Sequence, residues 1–474
     1  MSAVLALPEI FFGLAGMMLL LYGVFRRAQI MPWLVVAAFL LAAGLVVRDP
    51  SSGLAFHDMF ISDAYSRFMK LALLGTGALV LAMSLPVLKQ TDLAKPEYFV
   101  LMIFSMLGMM LMVSAHDLLA MYVGLELQGL PLYVLAAFRR DDTRSSEAGL
   151  KYFVLGAVAS AVLLYGISLL YGHTGNTNFA ALARALKDVP SLPYGAFGGL
   201  VFITVGMAFK VAAVPFHMWA PDVYEGAPTP VTAFFATAPK LAALALLTRL
   251  FMHPLGGLAH QTQQILVFVA VATMLLGSFA GLIQTNIKRL MAYSAIANAG
   301  TILVGLAAGG NAGAQSVLIY LLIYAVNVTG AFAVILSLRR HGEEAERIDD
   351  LAGLSKTHPL RAAAMAVFLF SLAGVPPLAG FFGKYFVFLA AVKAEMVPLA
   401  VIGVLASVVA AGYYVRLVKI MYFDEPTAEP LDPVRDHSLR GVTAMAALAV
   451  LLFAVYPAPL IECALKAAQS LFNA

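Results

Sequence analysis

The sequence predicts an all-α polytopic membrane protein of about 14 transmembrane helices, and three observations carry that reading. Of its 474 residues, 62% are hydrophobic and only 12% charged. Apolar runs of 18 or more residues recur along the whole chain, each long enough to cross a bilayer as a helix. None of these runs alternates apolar and polar residues, as the strand of a membrane barrel would.

The first run, 4–24, lacks a basic leader and has Glu9 near its start, so it reads as a retained span and not a cleaved signal. Further spans follow at 31–47, 65–86, 97–114, 118–138 and 150–171. The seventh, 197–220, is interrupted by Pro215 in VAAVPFH, and the eighth to eleventh fall at 230–252, 264–284, 288–308 and 314–338. The twelfth, 360–390, is broken by Pro376 and Pro377 in LAGVPPLAGF, and 398–422 and 439–460 complete the set. The longest connections, 172–196, 339–359 and 423–438, are too short to hold a soluble domain.

Basic residues set the threading. Connections after odd-numbered spans hold 19 of the 30 lysines and arginines, among them Arg26, Arg27 and Arg435, and the opposite face is assigned 8, including Lys70 and Arg249. That bias places the odd connections in the cytoplasm and both termini outside. Three lysines, Lys210, Lys240 and Lys384, belong to no connection.

The two proline breaks lie five spans apart, so the segments holding them run in opposite directions. Paired broken helices in inverted repeats are a transporter architecture in which the breaks mark the functional site.

Several function classes are excluded or unsupported. Cys463 is the only cysteine, which rules out an internal disulfide and a cysteine-ligated cluster. The net charge of +4 includes no basic block suited to nucleic acid, and no glycine-rich phosphate loop occurs in a strand-turn-helix context. His116, His253, His341 and His358 sit at span ends or in connections, with no pair placed for haem. The 22 methionines and 31 phenylalanines read as bundle packing, and Gly277 with Gly281 as a close helix contact.

The deep charges carry the chemistry. Glu126 lies nine residues past Asp117, about 13 Å along a helix and near mid-membrane. Lys210 precedes the Pro215 break, Lys240 follows Pro239 ten residues into its span, and Lys384 follows the glycine-rich second break. Ionisable groups at such depth are costly and functional by default. The plain alternatives are a carboxyl bonded to a neighbouring helix and lysines that snorkel to the interface. Desolvation disfavours a charged side chain and an approaching opposite charge restores it, so a row of such groups can pass protons. His217 is a candidate carrier between Lys210 and Lys240, or equally a group that satisfies freed backbone at the break.

These residues fall in recognisable motifs: GLELQGLPLYVL around Glu126, KYFVLGAVASA from Lys151, FKVAAVPFHMWAPDVYEGAPTPVTAF around Lys210 and His217, NIKRLMAYSAIANAG from Lys288, and PPLAGFFGKYFVF around Lys384. Over nearly its whole length the chain resembles the antiporter-like membrane subunits of proton-pumping NADH-quinone oxidoreductase, respiratory complex I.

The resemblance implies fourteen core helices with two inverted five-helix repeats in one membrane domain: three N-terminal helices over 1–95, repeats over 96–255 and 256–425, and a C-terminal helix over 426–474. It implies a proton relay of Glu126, Lys210, Lys240 and Lys384, supported by Lys151 and His217. Glu126 and Lys210 would be the switching pair and Lys384 the exit-side lysine. It further implies no cofactor or metal in this chain. NADH, FMN, iron-sulfur clusters and quinone would lie in partner subunits, and the neighbours would be sibling antiporter-like subunits and lipid in a bacterial inner membrane.

Asn298 departs from the pattern, standing where relatives often have histidine or glutamine, so the second half should lean on water and on Tyr320, Tyr324 and Asn327. Two other readings remain open at this point. One is an antiporter subunit of a cation/proton exchanger or membrane-bound hydrogenase, and the other is a passive scaffold whose charges only lock helices together.

Overall fold

The computed structural model describes residues 2–25, 30–187, 193–426, 431–432 and 436–472. Arg26, Arg27 and Arg435 of the charge count therefore lie outside the described residues. Among the described residues, thirteen helices are long and apolar enough to cross a membrane. A further crossing is divided into halves Pro359–Ala373 and Ala379–Lys393, which brings the count to the expected fourteen.

Spans 1 to 3 are Leu7–Phe25, Met31–Arg48 and Ala64–Gln90. Spans 4 to 6 are Pro96–Val113, Leu118–Ala136 and Thr143–Thr174. Span 7 runs over Tyr194–Val211 and resumes as Trp219–Gly226. Span 8 occupies Thr229–Met252 with a kink at Ala236 and Thr237. Spans 9 to 11 are Ala259–Leu282, Ile287–Ala308 and Gly310–Leu336, span 12 is the divided crossing, and Val397–Phe423 and His437–Val455 are spans 13 and 14.

Loop contacts fix the alternation of faces. The connections after spans 2, 4 and 6 meet on one face, where the hairpin Gly53–Ala55 with Phe60–Ser62 bonds to residues 114–116, and His116 and Leu118 bond on to Phe179 and Thr177. On the other face, the connection after span 11 reaches that after span 9 through Asn286 and Arg347, and that after span 3 through Arg339 and Gln90.

The same devices recur on opposite faces. Asp117 caps span 5 by accepting from the amides of Leu119 and Ala120, and bridges to Asn178. Asn286 caps span 10 through Lys288 and Arg289, and bridges to Arg347. Both members of the second set stand 169 positions after the first. At that same spacing, Gly108 packs against the backbone of Gln128 and Gly277 against that of Ala297, which joins spans 4 and 5 and then spans 9 and 10. Because spans 5 and 10 thread in opposite directions, this is the geometry of an inverted duplication. The close contact expected of Gly277 and Gly281 is present, Gly281 resting on Tyr413.

Three expectations are corrected. Lys70 and Arg249, assigned to connections, lie buried inside spans 3 and 8, and Lys288 is buried at the start of span 10. Each has a carboxylate: Lys70 meets Glu9 at 2.6 Å, Arg249 meets Asp63 at 2.8 Å, and Lys288 meets Glu346 at 2.6 Å. Pairing and hydrogen bonding let a charge leave water near a helix end, where position alone does not separate buried from solvated. Span 14 also stops at Val455, short of the expected 460, because Pro457 intervenes. A separate amphipathic helix, Ala458–Ser470, then packs its alanine face, Ala464, Ala467 and Ala468, onto spans 3 and 11. Finally, span 6 begins at Thr143, seven residues early, capped by Asp142, so Lys151 stands well inside the helix and not at its start.

Candidate functional site

Span 7 cannot remain helical through VAAVPFH, since proline offers no amide and clashes with the preceding turn. Ala212 takes a left-handed conformation and closes the first half. This places Lys210 in the last turn of that half, aimed between spans 5 and 6.

There the Lys210 Nζ stands 3.9 Å from Glu126 Oε1, 3.4 Å from the Tyr133 hydroxyl and 3.5 Å from Ser160 Oγ. Ser160 donates a short hydrogen bond to Glu126 Oε1. The lysine side chain is 6% exposed and the glutamate 24%, so the pair sits at the boundary between a dry interior and a more open flank. Gly129 and Gly156 make the room. A Cβ at Gly156 would lie 2.3 Å from the Tyr133 hydroxyl, and one at Gly129 would lie 3.5 Å from the Lys210 Nζ. At 3.9 Å the two charges are separated but coupled, a spacing that a small side-chain rotation can close or open.

Lys240 is next along the row. Its Nζ donates to the Val211 carbonyl at 3.3 Å and lies 6.0 Å from the centre of the Tyr224 ring. Two residues back, the Phe209 carbonyl accepts from the Ala212 amide at 3.0 Å and from the Trp219 indole at 2.9 Å. Lys240 thus takes the last carbonyl of the half-helix, and Trp219 adds a second donor to Phe209. His217 stands half-buried in the interrupted segment.

From here polar links continue into the second half without a titrating histidine. The hydroxyls of Tyr224 and Tyr324 donate to the neighbouring Phe235 and Ala236 carbonyls at 3.3 and 3.0 Å. Tyr320 donates to Asn298 Oδ1 at 2.6 Å, and Asn298 Nδ2 reaches the Tyr414 hydroxyl at 3.3 Å, which pairs with Ser294 at 2.6 Å. A small cavity then separates Asn298 from Lys384, whose Nζ donates to the Ala373 carbonyl at 3.0 Å. Asn327 donates to Ile323 on its own helix.

Lys151 is separate from this buried row. It is 42% exposed and binds Glu147 at 2.7 Å and Asp222 at 2.8 Å. Arg289 of span 10 binds the same Asp222 at 2.7 Å and Glu225 at 3.0 Å. Glu147, Lys151, Asp222 and Glu225 edge a polar cavity of about 150 Å³ on the more basic face, and Arg289 ties the second half of span 7 to span 10.

The structure thus brings Glu126 and Lys210 together, sets Lys240 beside the break that follows Lys210, and leaves Lys384 across a hydroxyl-lined stretch. Sequence reading missed Tyr133, Ser160 and Asp222. A serine and two glycines at helical spacing in KYFVLGAVASA and GLELQGL were the available signal for the first two. It also missed that His116 and His253 approach, their ring centres 5.5 Å apart.

Residues 115–410 match the NADH:quinone oxidoreductase/Mrp antiporter transmembrane family. The chain is 53% identical over 476 residues to NADH-quinone oxidoreductase subunit N of Paramagnetospirillum magneticum, covering 99% of this chain and 98% of that one. Among solved structures it resembles a chain of respiratory complex I from Thermus thermophilus with bound aureothin, at 32% identity and a TM-score of 0.82, covering 96% of this chain and 98% of that one. A chain of the Mrp complex from Dietzia, 22% identical, shares the fold at a TM-score of 0.88, covering 100% of this chain and 98% of that one.

Proposed function

The chain belongs to the NADH:quinone oxidoreductase/Mrp antiporter transmembrane family, and from that premise we propose that it is the proton-translocating N subunit in the membrane arm of a bacterial complex I. Electron transfer from NADH to quinone takes place in partner subunits, and this chain turns the energy released there into proton movement. It acts as the translocating part of an enzyme complex, with the redox groups held by its neighbours.

The observation that carries this is the Glu126–Lys210 pair, held at 3.9 Å in the interior of the bundle with Ser160 and Tyr133 around it. When the carboxylate closes on Lys210, the ammonium is stabilised. When it swings away, the buried ammonium loses its counter-charge and passes its proton toward Lys240, 30 positions on and bonded to the carbonyl next to Lys210. Tyr320, Asn298, Ser294 and Tyr414 then order water toward Lys384. His217 in the break and Lys151 at the inward cavity support proton entry.

The working units are the three-helix segment 1–95, repeats 96–255 and 256–425, and the C-terminal segment 426–474. Both termini face the periplasm, as the bias of basic residues supports.

Relatives about 50% identical over nearly their full length, named as subunit N, favour this role over a stand-alone cation exchanger. Mass spectrometry of the detergent-extracted complex tests it. Co-purifying flavin and iron-sulfur subunits are expected, and their consistent absence from an intact complex would overturn the assignment.

A further inference from the structure

The two broken helices end in the same way. The Ala212 and Ala213 amides turn back to the Phe209 and Ala208 carbonyls, and the Gly374 and Val375 amides turn back to those of Ser371 and Phe370, every partner 162 positions later. This closure leaves the last carbonyls, Val211 and Ala373, pointing beyond their half-helices without an amide to meet. Each meets a lysine instead: Lys240 on Val211 at 3.3 Å and Lys384 on Ala373 at 3.0 Å.

A helix C-terminus carries partial negative charge. In inverted-repeat transporters, unwound carbonyls and half-helix C-termini are where coupling cations bind. The two ammonium groups stand in that position.

We propose that the Lys384 ammonium is the tethered occupant of a monovalent-cation site, and that by filling it Lys384 keeps the second half a proton path closed to alkali cations. The inference rests on the proton-relay reading above.

Lys384 lies between the Ala373 carbonyl, which its Nζ meets at 3.0 Å, and a second group of neutral oxygens. Beside it lies a small cavity walled by Ser278, Asn298, Thr301, Ser407, Tyr413 and Tyr414. These are neutral oxygen donors on the cavity side of Lys384, the Ala373 carbonyl is the one its ammonium meets, and no carboxylate lines the cavity. Neutral oxygens suit a single positive charge, whereas calcium or magnesium would call for carboxylates. Gly374 belongs to the design. Its φ of +89° turns the chain, and a Cβ there would fall 3.0 Å from Lys384 Cδ, crowding the side chain that reaches the carbonyl. Lys240 has a poorer shell, the Val211 carbonyl and the Tyr224 ring, so it holds its ammonium without offering a comparable site once removed.

Lys384→Ala removes three methylenes and the ammonium and opens the shell, Lys384→Ser opens it and adds an oxygen, and Lys384→Met fills the space without charge. The purified whole complex is melted in sodium chloride and in choline chloride at equal ionic strength, and a separate unheated portion is reconstituted to measure NADH-driven uptake of radiolabelled sodium.

Lys384→Ala and Lys384→Ser are expected to melt about 2–4 °C higher in sodium than in choline and to take up sodium several-fold above the wild-type background. Wild type and Lys384→Met should not respond. The proposal is overturned if neither opening variant responds to sodium, or if Lys384→Met or the wild type responds equally. The melting comparison is independent of pumping. Should Lys210→Met pump normally, the relay reading fails, and the sodium shift still decides the cation site.

Discussion

Replacing Gly108 with alanine asks whether the contact between spans 4 and 5 sets the Glu126–Lys210 gap. A Cβ at Gly108 would lie 2.3 Å from the Gln128 amide nitrogen and 2.8 Å from the Gly124 carbonyl oxygen. Both are main-chain atoms of the helix that bears Glu126, so no side-chain rotation relieves the clash. The helices must part by about 1 Å, an overpacking that costs about 1–3 kcal/mol. The carboxylate now stands 3.9 Å from Lys210. At an effective dielectric of about 20, moving it to about 5 Å lowers the attraction from about 4.3 to about 3.3 kcal/mol, a factor of about five in any equilibrium the pair controls. The assay is NADH-driven proton uptake by inverted membrane vesicles, with the complex shown intact by native electrophoresis. Gly172→Ala, where a Cβ meets nothing within 4 Å, is the control. An intact Gly108→Ala complex with the control's uptake rate would refute the reasoning.

Two further outcomes concern the less basic face. Arg249→Leu strands Asp63 in a buried setting and should cost about 3–5 kcal/mol, whereas adding Asp63→Asn should recover most of that loss. Equal melting temperatures for the single and double variants would contradict the pairing at 2.8 Å. His116, in the connection between spans 4 and 5, is held down to about 4 by burial and by neighbouring His253 and Arg249, against weaker opposing effects of Asp63 and Asp58. Its folded value lies below the unfolded value of about 6.5, so its contribution to stability is complete above that pH and is lost as pH falls toward 4. Thermal melting of His116→Asn should therefore decline less steeply than wild type over that window, and identical slopes would count against it.

What was legible from sequence was what breaks a strong rule. Pro215 and Pro376–Pro377 cannot sit inside continuous helices, and Lys210, Lys240 and Lys384 cannot sit in lipid without a reason, so breaks and deep charges stood out. Lys70 and Arg249 did not, because each lies within two turns of a span end, or closer, where a snorkelling charge and a buried one look alike. Only the partner separates the two cases, and Glu9 is 61 positions from Lys70 while Asp63 is 186 from Arg249. The roles of Ser160 and Tyr133 were hidden for the same reason, since small hydroxyls in apolar helices are common and only the fold turns these two toward Lys210. The hairpin Gly53–Ala55 with Phe60–Ser62 and the helix Ala458–Ser470 escaped because they are too small or too mixed in polarity to interrupt a hydropathy pattern. Asn298 was recognised as a departure, and its bond to Tyr320 shows how an amide and a hydroxyl stand in the row without titrating.

The central claim is that Glu126 and Lys210 act as an electrostatic switch for proton movement. The number of protons moved per NADH oxidised, measured on intact complexes carrying Glu126→Gln or Lys210→Met, tests it most directly. The account predicts a clear fall in that ratio while the complex stays assembled and NADH oxidation persists. A fully assembled Lys210→Met complex that keeps the wild-type ratio would contradict it.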